Sequence, residues 1–515
     1  QLNGRLQYET TIAQNHNIGA MFVYSEEYWH TRSTGASRND RIHPSTSEIN
    51  AALTNVQSNS GSSASEGLRS YIGRMNYSAY DKYLLEFSFR VDGSSKFIKG
   101  HQYGFFPTVA VGWRFTEEEF LKKYLSSWLS SGKLRASWGK LGDNSGVDRF
   151  EQLETLTAMN YMSSDVVKGF VNKKMINKDL SWEVSTDINV GLDLGFLNNR
   201  LRTEIDFYNR LRTGMNRPSQ MSIHLTGAYS APRANIGDLL NRGLELNLTW
   251  KDKIGNVEYS VNLNGAYNRT VLKEWNEFLS RGWVYLDMPY HFLYVYENNG
   301  IAQTWQDIYN NTPQGLSPGD VIRKDLNGDG IIDGKDKKAY PNIQRDRPTT
   351  TYGITLQAAW KGFDISMLFN GGLGRKDFWL TDFNNTAFAD RRYASTWDHW
   401  TEPWSLENRG GEWPRLGTST DRSDNSYWLY NMNYLRMKNI MLGYNLPKKL
   451  LSKISMTNLR IYASAENLFT VTQYPGLDPE KKNSARDLYP INRSFSIGLN
   501  GKVATKGVTR GKSFN

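Results

Sequence analysis

Apolar and polar residues alternate along most of this chain. In "WEVSTDINVGLDLGF", Trp182, Val184, Ile188, Val190, Leu192, Leu194 and Phe196 share one side, and Glu183, Ser185, Asp187, Asn189 and Asp193 the other. A period of two is that of an extended strand, whose successive side chains point to opposite faces. After "LNNR" the pattern resumes, with Leu201, Ile205, Phe207 and Leu211 opposite Arg202, Glu204, Asp206 and Arg210. "GLELNLTW" sets Leu244, Leu246, Leu248 and Trp250 against Glu245, Asn247 and Thr249, and "VEYSVNLNGAY", "YGITLQAAW", "FDISMLF", "LRIYASAENLFTV" and "SFSIGLNGKV" repeat the scheme. About fifteen strands are expected. Helix is expected only over residues 116–132, "TEEEFLKKYLSSWLSSG", with acids at its start and Gly132 at its end.

Connection lengths alternate as well. Tight turns fall near Gln14–Asn17, Asp81–Lys82, Asn198–Asn199, Asp252–Asn256 and Lys361–Gly362, with long connections over about 30–67, 142–181, 272–350 and 372–430 between them. Short turns at one end and long loops at the other describe an up-and-down meander. Sandwich strands of roughly five or six residues are shorter than these runs. A propeller needs a repeat near 40 residues, and none is found. A transmembrane barrel needs strands of about nine or more residues, apolar outward and polar inward, with short turns on the periplasmic side and long loops outside. In lipid, closure is the β solution that leaves no backbone group unpaired. The expected fold class is therefore all-β, a transmembrane antiparallel up-and-down β-barrel with long extracellular loops. Trp182, Phe196, Trp250 and Trp360, near strand ends, suit interfacial aromatic girdles.

Composition narrows the function. The 515 residues include no cysteine, so disulfides and thiolate metal sites are excluded. Mean hydropathy is −0.60, and with no apolar run of about 18 residues, transmembrane helices are excluded. The formal net charge of +10 raises nucleic acid as a partner. There is no basic helix, zinc-finger spacing or long Lys/Arg block, so nucleic acid is not expected. An enzyme is not expected either: H-E-x-x-H and G-x-x-x-x-G-K-[ST] are missing. The chain opens at "QLNGRLQYET", inside an expected strand and without a signal peptide, which suggests processing or a place within a larger polypeptide.

One stretch stands apart, "DLNGDGIIDGKD". Its spacing is that of a twelve-residue calcium loop, with Asp325, Asn327 and Asp329 at positions 1, 3 and 5, and Gly330 at the sharp turn. Ile331 would offer its carbonyl, and Asp333 and Asp336 hold positions 9 and 12. Calcium, a hard cation that takes six to eight oxygens, suits alternating carboxylates, and magnesium is the alternative. Pro318, Gly319 and Pro341 leave no room for flanking helices, so an isolated loop stapling a long connection is expected rather than an EF-hand. A polar turn without metal is the other reading.

Four stretches carry a family likeness: "DLNGDGIIDGKDKKAYPN" leading into "TTTYGITLQAAWKGFDISMLFNGG"; "NYLRMKNIMLGYNLPKKLLSK" followed by "LRIYASAENLFTVTQYPGLDPE"; "LRASWGKLGDNSG"; and "INRSFSIGLNGKV". Over residues 1–503 the chain resembles the C-terminal part of SusC/RagA-type TonB-dependent outer-membrane transporters of Bacteroidetes. The resemblance implies a 22-stranded barrel, of which this chain supplies roughly the last fifteen strands, with plug domain and first strands absent. A fragment, a separately encoded piece or a truncated product is the expectation, followed by a basic tail over 504–515. The resemblance also implies a Gram-negative outer-membrane importer of oligosaccharides or peptides, energised by the TonB complex through a plug and closed by a SusD-like surface lipoprotein. Ligand-facing residues are then expected in the aromatic stretch 391–430: Trp397, Trp400, Trp404, Trp413 and Trp428, whose rings stack on sugars, and Arg391, Arg392 and Arg415, which hold acidic groups. Packing of that loop against itself or the lipoprotein is the competing expectation for these aromatics. A passive barrel and a calcium-stapled secreted carbohydrate-binding β-protein are the alternatives to the importer.

Overall fold

The computed structural model describes residues 1–43, 45–53, 57–125, 128–162, 166–172, 174–222, 224, 230–277, 285–290, 292–378, 402–415, 424–451, 456–481 and 491–503. Fifteen strands form one antiparallel sheet in which each pairs with its sequence neighbours in the meander. They are β1 (Leu2–Ile12), β2 (His16–Arg38), β3 (Gln57–Ala79), β4 (Tyr83–Ser94), β5 (Tyr103–Trp113), β6 (Leu129–Asp143), β7 (Glu183–Phe196) and β8 (Leu201–Thr213). The rest are β9 (Asp238–Ile254), β10 (Val257–Glu274), β11 (Thr350–Trp360), β12 (Phe363–Leu373), β13 (Tyr434–Asn445), β14 (Met456–Thr472) and β15 (Ser494–Val503). The basic tail 504–515 lies outside the described residues.

Register turns the alternation of single strands into continuous rows. Leu194, Thr203, Leu248, Leu263, Ile354 and Phe369 are successive partners across β7 to β12. One residue along, Asp193, Glu204, Asn247, Asn264, Gly353 and Asn370 make the opposite row. The first row is the outer wall and the second faces the concave interior. Val190, Phe207, Leu244, Leu246 and Leu263 are all exposed on the outer wall. Contiguous apolar exposure on this scale marks a membrane surface.

The inner face compensates its own charges. Arg135 reaches Asp193 at 2.6 Å and Asp206 at 2.9 Å, Arg74 reaches Glu86 at 2.6 Å, and Arg460 is paired with Asp364. Asn262 donates to Asn247 at 2.7 Å and to Thr249 at 2.8 Å. The short turns take left-handed backbone, with φ of 49° and 64° at Ala13 and Gln14 and 52° and 55° at Tyr80 and Asp81. Such turns match the twist of the strands they join.

Three expectations change. The connection expected over 30–67 is mostly ladder: β2 and β3 stay paired from His16 with Ala79 to Arg38 with Gln57. This stretch lacks apolar alternation because it has no lipid to face. Cross-strand hydroxyl pairs, Ser33 with Ser62 at 2.9 Å and Ser37 with Ser58 at 2.7 Å, carry it onward in water. Among the described residues of 116–132, where a helix is expected, α-helix forms at Glu119–Leu125 (α1), after a 3-10 turn at Phe115–Glu117. Leu129 already pairs with Phe196, and sheet bonds replace a helix that Ser130 and Ser131 support weakly. Trp182 is not a girdle residue. It packs on Phe97 and Phe106 with ring centroids at 5.2 and 5.5 Å, beside a small core of Phe97, Val147 and Leu180 in the long connections.

A charge on the outer wall therefore costs by depth. Leu246→Arg, midway along β9, is expected to destabilise the folded barrel by about 2–4 kcal/mol, and Ile254→Arg, beside the short turn, by about 0–1 kcal/mol. Urea unfolding from lipid vesicles measures both, and equal losses would contradict the assigned wall.

Candidate functional site

The long connections meet at the end of the sheet opposite the short turns. Between β10 and β11, Phe292–Tyr296 pairs with Lys337–Gln344 and Asn298–Ile301 with Val321–Arg323. Between β12 and β13, Lys376–Phe378 pairs with Leu429–Asn431. Leu293, Val295, Phe378 and Trp428 form one buried core, with Tyr340, Ile343, Trp413, Tyr427 and Leu429 packed against it. Two connections far apart in sequence thus share a cap. Ion pairs fasten it: Lys337 meets Asp424 at 2.7 Å, and Arg415 meets Asp320 at 2.8 Å.

This packing decides the roles of several expected ligand residues. Trp428 is 0% exposed, 6.0 Å from Trp413 and 5.1 Å from Tyr427 between ring centroids. Trp404 is buried, and its Nε1 donates to Gln303 at 2.8 Å. Trp404 and Trp428 hold the cap together and present no face to a ligand in this structure; Trp413 is half-buried beside them. Arg415 is engaged with Asp320. Trp397, Trp400, Arg391 and Arg392 lie outside the described residues.

The loop 325–336 closes on itself. Asp325 accepts from the amides of Gly328 at 2.6 Å and Gly330 at 2.9 Å, Asn327 from Asp329 at 2.9 Å, and Asp329 from Ile331 at 2.9 Å. Gly328 and Gly330 have φ of 75° and 78°, backbone that favours glycine. Asp336 is 0% exposed and accepts from the amides of Leu326 at 2.9 Å and Asp333 at 2.8 Å. The Asp333 amide, with those of Leu326 and Asn327, holds the Asp336 carboxyl below the usual carboxylate range despite its burial. Asp333 caps the short turn Gly334–Asp336. Among the described residues, no three Asp, Glu or His side chains gather into a metal-sized group. The donor types fit a hard cation, but here the carboxylates face amides.

Sequence reasoning missed a second constellation at the upper rim. Arg375 is 1% exposed and donates to the carbonyls of Pro479 at 3.1 Å, Glu480 at 3.2 Å, Lys481 at 3.2 Å and Arg345 at 3.0 Å. Arg436 pairs with Asp478 at 2.7 Å and Glu480 at 2.6 Å. Two buried guanidinium groups thus clamp the connection after β14 onto the sheet, using fork-shaped donor sets that lysine lacks. The available signal was the acid pair around Pro479 in "LDPE".

The family profile described as TonB dependent receptor-like, beta-barrel, matches residues 1–314. The chain belongs to the TonB-dependent receptor β-barrel family. It is 30% identical over 475 residues to TonB-dependent receptor P3 of Formosa agariphila, covering 84% of this chain and 45% of that protein. It is 30% identical over 452 residues to TonB-dependent receptor SusC of Bacteroides thetaiotaomicron, covering 84% and 43% respectively. The solved RagAB peptide transporter superposes with a TM-score of 0.81 at 23% identity, over 96% of this chain and 54% of that one. The receptor is thus of the SusC/RagA type and resides in the Gram-negative outer membrane. The chain spans about half the length of the curated relatives it matches. In this setting the short turns are periplasmic and the cap is extracellular.

Trp428→Ala is expected to cost the cap about 3–5 kcal/mol of local stability, read as lost amide protection over 292–296 and 337–344 while the sheet is unchanged. Asp478→Ala leaves the buried Arg436 with Glu480 as its remaining carboxylate partner, and a smaller cost of about 1–3 kcal/mol is expected there. Glu297 gives the cap a pH response. Burial would raise its pKa, but hydrogen bonds from Tyr340 and Lys338 outweigh that and hold it low. A depressed carboxylate stabilises the fold above its unfolded value, about 4.3, and loses that contribution as pH falls through the folded value. Protection over 337–344 should therefore drop as pH falls through the folded value. Glu297→Gln should show the loss already at neutral pH, and an identical acid response in that variant would refute the assignment.

Proposed function

We propose that this chain forms wall and extracellular cap of an outer-membrane importer of oligosaccharides. In the whole receptor, TonB supplies energy through the plug domain and a SusD-like surface lipoprotein closes over the cap. The observation that carries this reading is the inner row Asp193, Glu204, Asn247, Asn264, Gly353 and Asn370, continued by Asn262 and Thr249. Amides and hydroxyls both donate and accept, as sugar hydroxyls do. The arginines on this face are largely spent on neighbouring carboxylates, which favours a neutral ligand. Peptide uptake is the alternative, and the RagAB transporter bears that description. A secreted, soluble β-protein is disfavoured by the apolar outer wall.

The test uses the whole receptor, purified from its native outer membrane in mild detergent. Intact masses should reveal an accompanying lipoprotein, and calorimetric titration should show saturable binding of oligosaccharide mixtures. Saturation by peptide mixtures alone would move the substrate class. Uptake that persists in cells lacking TonB would replace active import with a passive channel.

Within the cap, the proposal extends to calcium, or magnesium, at Asp325, Asn327, Asp329, Ile331, Asp333 and Asp336. The glycine-shaped turn and its hard-oxygen donors support this; the ion would rigidify the connection and take no part in chemistry. Chelation should loosen residues 300–345 and leave the sheet intact. Unchanged hydrogen exchange over that segment would count against a bound ion.

A further inference from the structure

Among the described residues, two periplasmic connections carry a short helix, Lys448–Leu451 between β13 and β14 and α1 between β5 and β6, and for the second, three contacts fix where it lies. Glu118 accepts from the Tyr83 hydroxyl at 2.5 Å and from Trp113 Nε1 at 3.1 Å. Tyr83 and Trp113 are register partners in the outward rows, in line with Leu85, Phe87, Val109 and Val111. The Phe115 ring covers Gly132, where a Cβ would collide with it. Gly132 is the partner of Leu194 and also faces outward. Thr116 Oγ1 accepts from the Gly132 amide at 2.9 Å. The segment therefore folds back over the outside of the barrel, away from the lumen.

α1 is amphipathic in that position. At about 100° per residue, Phe120, Leu121, Tyr124 and Leu125 share one half, and Glu119, Lys122 and Lys123 the other. Leu121 and Leu125 are half-buried. Phe120 is 64% and Tyr124 74% exposed. Trp128, also exposed, stacks on outward-facing Phe196 with ring centroids 5.8 Å apart. The exposed apolar half is thus continuous with the lipid-facing wall, at the level of Tyr83, Trp113 and Phe196 at the strand ends. Its charges are mixed: Lys122 meets Glu117 at 3.6 Å, and Glu119, Lys123 and Arg114 are exposed.

We propose that α1 is an interfacial foot, seated among inner-leaflet phospholipids, with Phe120, Tyr124 and Trp128 in the acyl boundary and Lys122 and Lys123 among the phosphates. A helix of this kind lies in the plane of the interface with its apolar half sunk into the headgroup–acyl boundary. Because acids offset the lysines, the foot takes a phosphodiester headgroup without selecting for net lipid charge. This inference is independent of which substrate is imported.

This chain has no cysteine, so a thiol introduced here is unique within it, and any cysteine elsewhere in the whole receptor is first replaced by serine. The whole receptor carrying Tyr124→Cys with a polarity-sensitive fluorophore is reconstituted into phosphatidylethanolamine vesicles, with or without phosphatidylglycerol. Nitroxide placed shallow on the acyl chains should quench the label strongly in both, and aqueous iodide should quench it several-fold less than a label at Tyr309→Cys on the cap. Adding Phe120→Ser should cut nitroxide quenching several-fold while cap amide protection stays unchanged, which shows that the variant is folded. Iodide quenching equal to that at the cap would overturn the proposal, including when protection appears only after a periplasmic protein is added. So would quenching that depends on phosphatidylglycerol, or that ignores Phe120→Ser.

Discussion

The structure depends on one constraint: in lipid, a strand must pair every backbone N–H and C=O with a neighbouring strand. An unpaired group in hydrocarbon has no water to turn to. Pairing fixes register, and register fixes the face of every side chain, because a slip of one residue would turn a whole row from wall to lumen. The rows through Leu248 and through Asn247 are therefore one decision seen from two sides. A greasy wall and a wet interior follow together from a period of two.

Beyond the membrane the constraint relaxes and different forces take over. β2 and β3 continue into water as a hydroxyl-laced hairpin. The connections between β10 and β11 and between β12 and β13 cannot rely on the barrel's ladder, so they build a core of their own around Trp428 and fasten it with ion pairs. Arg375 and Arg436 attach the connection after β14 to the sheet through carbonyls and carboxylates. Buried ionic groups of this kind are weak sources of net stability but expensive to break. That asymmetry suits a rim whose shape is to be held while ligands and partners come and go.

Strand assignment came readily from the sequence because burial in lipid imposes the same alternation on every strand. Failures occurred where that pressure stops. The Ser-rich ends of β2 and β3 carry no alternation and read as loop. The acids and leucines of 116–132 fit a helix longer than the one that forms, since ladder partners in β7 capture Leu129 onward. At the cap, aromatic residues were recognisable as a group, but not their roles: burial of Trp404 and Trp428 is set by segments more than a hundred residues away, such as Gln303 and Leu293.

The sequence by itself determined the meander, the inward and outward faces, the ends that carry short and long connections, and the shape of the 325–336 turn. All of these are local, resting on a two-residue period or on glycine and aspartate placed within one loop. Tertiary structure alone decided which aromatics the cap buries, that Arg375 and Arg436 clamp a distant loop, and that α1 lies on the outer wall. Each of those depends on residues brought together by strand pairing across long stretches of chain, which no local period encodes.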